Sequence, residues 1–401
     1  MGRNIRLYPW FVCLRNLTFW QAIWFLYFQD SLSAAEALVL AATLDITSSI
    51  LEVPSGYLAD KFGRRITLIG AAIASTLGSL VLATGDTFLV FMVAQVLLGI
   101  GISLYSGTEN ALLYDSLSAA GRSEEVAAQE TRAFRFMYAG LALAAVSGGV
   151  LAMGHAAYAY LATAFASAAA LTLAFLFREP PITAAEVREV SVLSQARVIF
   201  GKLRDRTLAW YFALAVAMYV FSHIPYVYGQ PFIANALAGY GYAGEAPLVS
   251  GIVVACMMLI SVAASWATMP LAARFGHKPT LLMAFAIQLG LVAVLAFSIH
   301  IAAIALLLLR MVPDALAKPL ILAGVQPRLE SSYRATFLSV QSLLGRLTLA
   351  ASVLAGSYWL PGEGVFSAPA LQALLTVYAA VGLILGALLL ISARRRGSSC
   401  S

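Results

Sequence analysis

Chemistry in this chain rests on few groups, because 401 positions hold only 25 Lys and Arg and 19 Asp and Glu. Their grouping is therefore informative. The stretch LEVPSGYLADKFGRRITL, residues 51–68, gathers Glu52, Asp60, Lys61, Arg64 and Arg65. A second stretch, LLRMVPDALAKP, spaces Arg310, Asp314 and Lys318 four apart. On a helix that spacing sets one carboxylate between two cations on a single face. Such a face can hold an anionic group, or respond when Asp314 takes a proton. The plainer alternatives are a self-neutralising ladder and, for Lys318, a long side chain reaching to an interface. His223, in SHIPYVYGQPFI, has a side chain suited to proton handling, although a lone histidine in apolar surroundings is more often a hydrogen-bonded structural residue. Pro225, Gly229 and Pro231 of the same stretch are expected to interrupt a helix and free backbone carbonyls. No phosphate-binding G-x-x-x-x-G-K-[ST] loop occurs, which argues against ATP-driven work, and no Ser/His/Asp or metal-ligand constellation argues for an enzyme. Cys13, Cys256 and Cys400 neither pair by spacing nor form a metal cluster, so neither cofactor nor metal is expected.

The elements that carry these groups follow from composition. Hydrophobic residues make up 61% and charged residues 11% of the chain, with a mean hydropathy of +0.86. A soluble domain carries about 25% charged residues. Apolar runs near twenty residues recur, each long enough for one helical crossing of a bilayer about 30 Å thick. Twelve are expected, near 7–30, 36–57, 66–85, 87–112, 127–153, 155–177, 207–234, 246–270, 279–299, 301–322, 334–358 and 366–392. The polar segment 178–206 separates a first bundle (1–177) from a second (207–401), six crossings each. The net charge of +6 reads as an orientation signal rather than a nucleic-acid site. With both termini on the cytoplasmic side, the outer loops receive no Lys or Arg, as the positive-inside bias requires. The first run is too long and too interrupted by Arg15 to be a cleaved signal peptide.

An ionised side chain at the bilayer centre costs at least ~2.5–3.5 kcal/mol unless it is paired or faces water. Charges within the runs are thus functional candidates. Arg15 and Glu109 lie at similar depth and are plausible partners. Asp45 sits level with Arg346, and Glu52 level with Arg132. Asp45 and Glu52, seven apart, share a helix face.

The halves also echo each other. GYLADKFGRRITL (56–68) returns as PLAARFGHKPTLL (270–282), pairing Gly63 with Gly276. Gly56, Leu58, Ala59, Asp60, Lys61, Gly63, Arg64, Arg65 and Leu68 fill every specified position of G-x-L-A-D-R/K-x-G-R-R/K-x-x-L. On these residues the chain resembles the major facilitator superfamily of secondary transporters. The resemblance implies an all-α integral membrane fold of twelve helices in two pseudo-symmetric bundles that rock about a central cavity. It also implies a latch of charge pairs at the cytoplasmic rim, with Gly56 and Gly63 allowing a tight turn and close helix approach. In that latch Asp60 caps a helix of the other half and pairs with Arg334, while Arg64 meets Asp115. The blander alternative, that the basic residues only anchor topology, leaves Asp60 without a purpose.

Two departures bear on function. Gln95 stands where proton-linked exporters of the superfamily often have an arginine four residues before a glycine, here Gly99. Glycines 140, 148 and 149 lack the proline of the exporter pattern. The expected function is secondary active transport of a small organic solute by alternating access, with protons as coupling ion and efflux as the favoured direction. Proton-coupled uptake of an organic anion is the alternative, prompted by Arg15, Arg310 and Arg346. A non-transporting sensor or scaffold of the same fold is the third reading. The expected setting is a monomer in a bacterial plasma membrane, in contact with lipid, solute and protons and with no nucleic acid.

Overall fold

The computed structural model describes residues 1–181, 201–329, 331–358 and 366–394. The chain divides into two compact units, one holding Met1–Glu189 and Pro247–Ala255, the other most of the remainder from Val190 onward. Each is built from helices alone among the described residues.

In the first unit, α1 spans Gly2–Arg15 and, after a 3-10 turn, α2 spans Trp24–Gln29. Helix α3 (Ala34–Phe62) starts at a capping box: the Ser33 hydroxyl accepts from the Glu36 N–H at 3.3 Å, and the Glu36 carboxylate accepts from the Ser33 N–H at 2.9 Å. It ends at Gly63, whose φ of 97° and ψ of 154° belong to glycine almost alone, and α4 (Arg64–Thr84) begins there. Then come α5 (Phe88–Tyr105), α6 (Thr108–Ser118), α7 (Val126–Gly154) and α8 (Ala157–Leu176). The core joins Tyr8, Phe11 and Val12 of α1 to Ala71 and Ala72 of α4, Leu112 and Leu113 of α6, and Ala170 and Ala174 of α8. Alanine at those positions lets backbones approach closely, as membrane helices require when apolar burial gives little drive.

In the second unit, α9 spans Arg206–Ala238, α11 Thr268–Phe275, α12 His277–Phe297, α13 Ile304–Leu307, α14 Val312–Val325, α15 Ser331–Ser357 and α16 Ala368–Arg394, while α10 (Ala246–Ser265) is divided, its Pro247–Ala255 stretch grouping with the first unit. Gly276, between α11 and α12, has φ 86° and ψ 161°, the conformation of Gly63. The echo in sequence is an echo in backbone.

Ten helical segments among the described residues are long and apolar enough to cross a membrane. The expected first and tenth crossings do not qualify, because each is broken. The first breaks between Arg15 and Trp24, the tenth at Leu308–Met311. The expected fourth crossing also breaks, at Ser106–Gly107 where Gly107 takes φ 73°, and the eighth at Trp266–Ala267. The seventh is a correction in the other direction. Pro225, Gly229 and Pro231 do not interrupt it, and α9 runs through them for 33 residues. A proline removes one N–H, and membrane helices tolerate this where the surrounding bundle packs around it; Pro225 and Pro231 are both buried within α9. Gly56 is a second correction. It lies inside α3, and a Cβ there would meet nothing within 4 Å, so no tight turn or close approach depends on it. Outward surfaces are apolar, with Phe165 76%, Leu259 70% and Leu383 64% exposed; such faces suit lipid, not water.

Candidate functional site

The charged stretch at 51–68 forms the end of α3 and the start of α4. Arg64 pairs with Asp60 one turn back, and its Nε lies 3.5 Å from the Asp115 carboxylate of α6. One guanidinium thus ties three helices of the first unit. Asp60 is 45% exposed, Arg64 17%. The Arg334 side chain lies outside the described residues. Arg65 Nη2 donates to the Phe175 carbonyl at 3.0 Å. Sequence reasoning missed the residue that completes the joint. The Glu179 carboxylate, just beyond α8, accepts from the Arg64 N–H at 2.6 Å and the Arg65 N–H at 2.8 Å. It sits on the N-terminus of α4, where free N–H groups and the helix dipole favour an anion. A Cβ on Gly63 would lie 2.7–2.8 Å from that carboxyl group.

Deeper in the first unit the broken helices hold opposite charges at their ends. Arg15 is in the last turn of α1 and Glu109 in the first turn of α6, so each sits where the helix dipole favours its sign. They form an ion pair, and the Arg15 guanidinium lies 5.0 Å from the centre of the Tyr105 ring. The pair is the one that matching depth along the helices suggests.

The second unit repeats the device. Asp314 is in the first turn of α14, directly after the break at 308–311. Its carboxylate accepts from Ser222 Oγ at 2.8 Å and Gln288 Nε2 at 3.2 Å, and lies 3.8 Å from Lys318 Nζ. Asp314 is 15% exposed, Lys318 72%. Arg310 makes no direct ion pair with it: its Nε lies 3.1 Å from Met257 Sδ and its guanidinium 5.2 Å from the Tyr226 ring centre. The expected face of three charges is therefore split, because Arg310 falls in the break rather than in the helix. His223 Nδ1 is 2.7 Å from the Tyr219 carbonyl, and the two rings stack at 4.1 Å. A cavity of about 290 Å³ opens beside these groups, lined by Tyr219, His223, Asp314, Lys318, Gln341 and Ser342 among apolar side chains.

Asp45 and Glu52 are half-buried on α3, Arg346 is half-buried on α15, and Arg132 is exposed on α7 with its guanidinium 5.9 Å from the Phe136 ring. Ser222 and Gln288 were missed. Gln288 had a legible signal, being a polar side chain in the long apolar run of α12, where it is 2% exposed.

Comparison with known proteins decides what the arrangement belongs to. The model of the Major Facilitator Superfamily matches residues 10–353. The chain belongs to that superfamily. Among solved structures, this superfamily member is similar to the nucleoside transporter NupG, with 14% identity, a TM-score of 0.78, and 97% of this chain and 99% of that one covered. It is similar to an auto-inhibited POT family peptide transporter at 14% identity and TM-score 0.72, covering 98% and 97%. A D-xylose-proton symporter follows at 16% identity and TM-score 0.66, covering 94% and 96%. At such identities the likeness establishes fold and no substrate. No curated protein sequence matches the chain. The molecule is a membrane transporter of this superfamily.

Proposed function

We propose that the transporter moves a small organic solute by alternating access, coupled to protons through Asp314. The Asp314 network carries the reading. Its carboxylate is mostly buried, accepts two neutral donors, lies 3.8 Å from the exposed Lys318 ammonium and borders a cavity of solute size. In the ionised state all of those donors are used. When Asp314 gains a proton it must donate, and Gln288 supplies the acceptor: its Oε1 is buried with no hydrogen-bond partner, so rotation of the amide answers the proton. The Ser222 hydroxyl can reverse its role as well. Protonation thereby reorganises α9, α12 and α14 together, which gives a proton a differential hold on two states.

Efflux is the direction we favour, because the cavity walls are mainly apolar and suit a partly hydrophobic solute. Proton-coupled uptake is the second reading, supported by neighbours that include a D-xylose-proton symporter. A cytoplasmic setting for both termini rests on the charge distribution of the loops. The test is a vesicle assay. The purified chain is reconstituted with a pH-sensitive dye inside and challenged with a chemically broad solute panel under an imposed proton gradient. Asp314→Asn should insert normally yet lose proton-coupled flux. Flux equal to the parent's would remove Asp314 from the mechanism, and the sign of the dye response fixes direction.

A further inference from the structure

The cavity beside Asp314 has more positive charge around it than its carboxylate offsets. His223, Asp314 and Lys318 line it together, and the charges that act on His223 are those of Arg310, Asp314 and Lys318. Two cations stand against one acid. Asp314 is already served by Ser222 and Gln288. Lys318 is not: its exposed ammonium has only the 3.8 Å contact with Asp314 among the described residues, which leaves its three donors available at the cavity wall. Arg310 borders the same wall through rings. Its guanidinium lies over Tyr226, Tyr226 meets the His223 ring edge-on at 6.3 Å, and His223 stacks on Tyr219.

The charge of the solute follows from this surplus. A cationic head would meet two cations, and a neutral head would leave the surplus charge of the site uncompensated. A single carboxylate offsets it and gives the ammonium an acceptor. The other walls include Met218, Ile321, Leu322 and Leu338 with the Tyr219 and His223 rings, so they suit an apolar body and would give a second carboxylate no partner. We infer that Lys318 receives the carboxylate of a monoanionic solute whose apolar body lies in the cavity beside it. Asp314 sets the timing: ionised, it competes with the solute for Lys318, and protonated, it leaves the ammonium to the solute. Proton and anion then occupy the site together and move in the direction their gradients set. The inference rests on the coupling role of Asp314 and names the solute class that this role leaves open.

Binding can be read apart from transport. Isothermal titration of the purified full-length chain in detergent uses benzoate, benzyl alcohol and benzylamine, one ring with an anionic, a neutral and a cationic head. Benzoate should bind at least about tenfold more tightly than either, a difference of about 1.4 kcal/mol. Lys318→Gln should remove that preference with the unfolding midpoint at the parent value, because the side chain is largely exposed, and Lys318→Arg should retain it. Asp314→Asn should bind benzoate more tightly than the parent while losing proton-coupled flux. Equal or tighter binding of benzyl alcohol or benzylamine, binding of none of the three, or a Lys318→Gln chain that prefers benzoate like the parent would each overturn the assignment. Parent-like flux in Asp314→Asn with the benzoate preference intact would bring down the coupling role of Asp314 and leave the Lys318 assignment standing.

Discussion

Replacing Glu179 by Ala, alone and together with Gly63→Ala, tests how the α3–α4 turn is held. Glu179 supplies both acceptors for the N–H groups of Arg64 and Arg65, and Gly63, the N-cap of α4, offers no side chain. Losing an N-terminal cap costs about 0.5–2 kcal/mol, and two charge-assisted bonds put Glu179→Ala near the top of that range, about 2 kcal/mol. Gly63→Ala incurs about 1–3 kcal/mol of backbone strain at φ 97°. It also pushes the carboxyl group off both N–H groups, since the new Cβ would lie within 2.8 Å of it. The single Gly63→Ala change should therefore cost about 4 kcal/mol. Because the cap can be lost only once, the double variant should also cost about 4 kcal/mol, some 2 less than the sum of the singles. Stability is measured by SDS titration in mixed micelles, following tryptophan fluorescence. Additive losses would show that Gly63 and Glu179 act separately and refute the account of the joint.

Other substitutions should follow the same geometry. Gly56→Ala, in the interior of α3 with open space at Cβ, should stabilise the protein by about 0.5–1 kcal/mol in the same titration. Gly107→Ala should destabilise it by about 1–2 kcal/mol through strain alone, since φ is 73° and no atom lies within 4 Å of a Cβ there; a larger loss would point to packing at the break. Asp60→Asn releases Arg64 from one of its two carboxylates and should slow exchange between access states. Accessibility labelling of single cysteines at the two mouths should then differ from the parent's pattern.

The apolar runs and the 56–68 motif made most of the helices and the family legible, because lipid leaves few folds open to such a chain. The duplicated glycine joint was legible too: Gly63 and Gly276 were paired by sequence and share one backbone conformation. What escaped has physical causes. Glu179 reaches Arg64 across 115 positions, and no local pattern announces a partner so remote. Helix breaks were sought at the prolines of α9, where packing tolerated them, and missed at Gly107, whose left-handed turn has no proline to advertise it. At Pro313 the signal ran the other way, since a proline early in a helix marks its start, and α14 begins at Val312. Reading Arg310, Asp314 and Lys318 as one face assumed an unbroken helix through 308–311.

The break after Arg15 has a consequence for how the chain is made. The segment that carries this arginine is interrupted, does not count among the helices fit to cross alone, and finds its counter-charge 94 positions later in Glu109. At about 5–20 residues per second, the ribosome takes roughly 5–20 s to supply that counter-charge. For that interval the opening span must be sheltered by the insertion machinery rather than released into lipid, and its final seating is a late event of translation despite its early place in the chain.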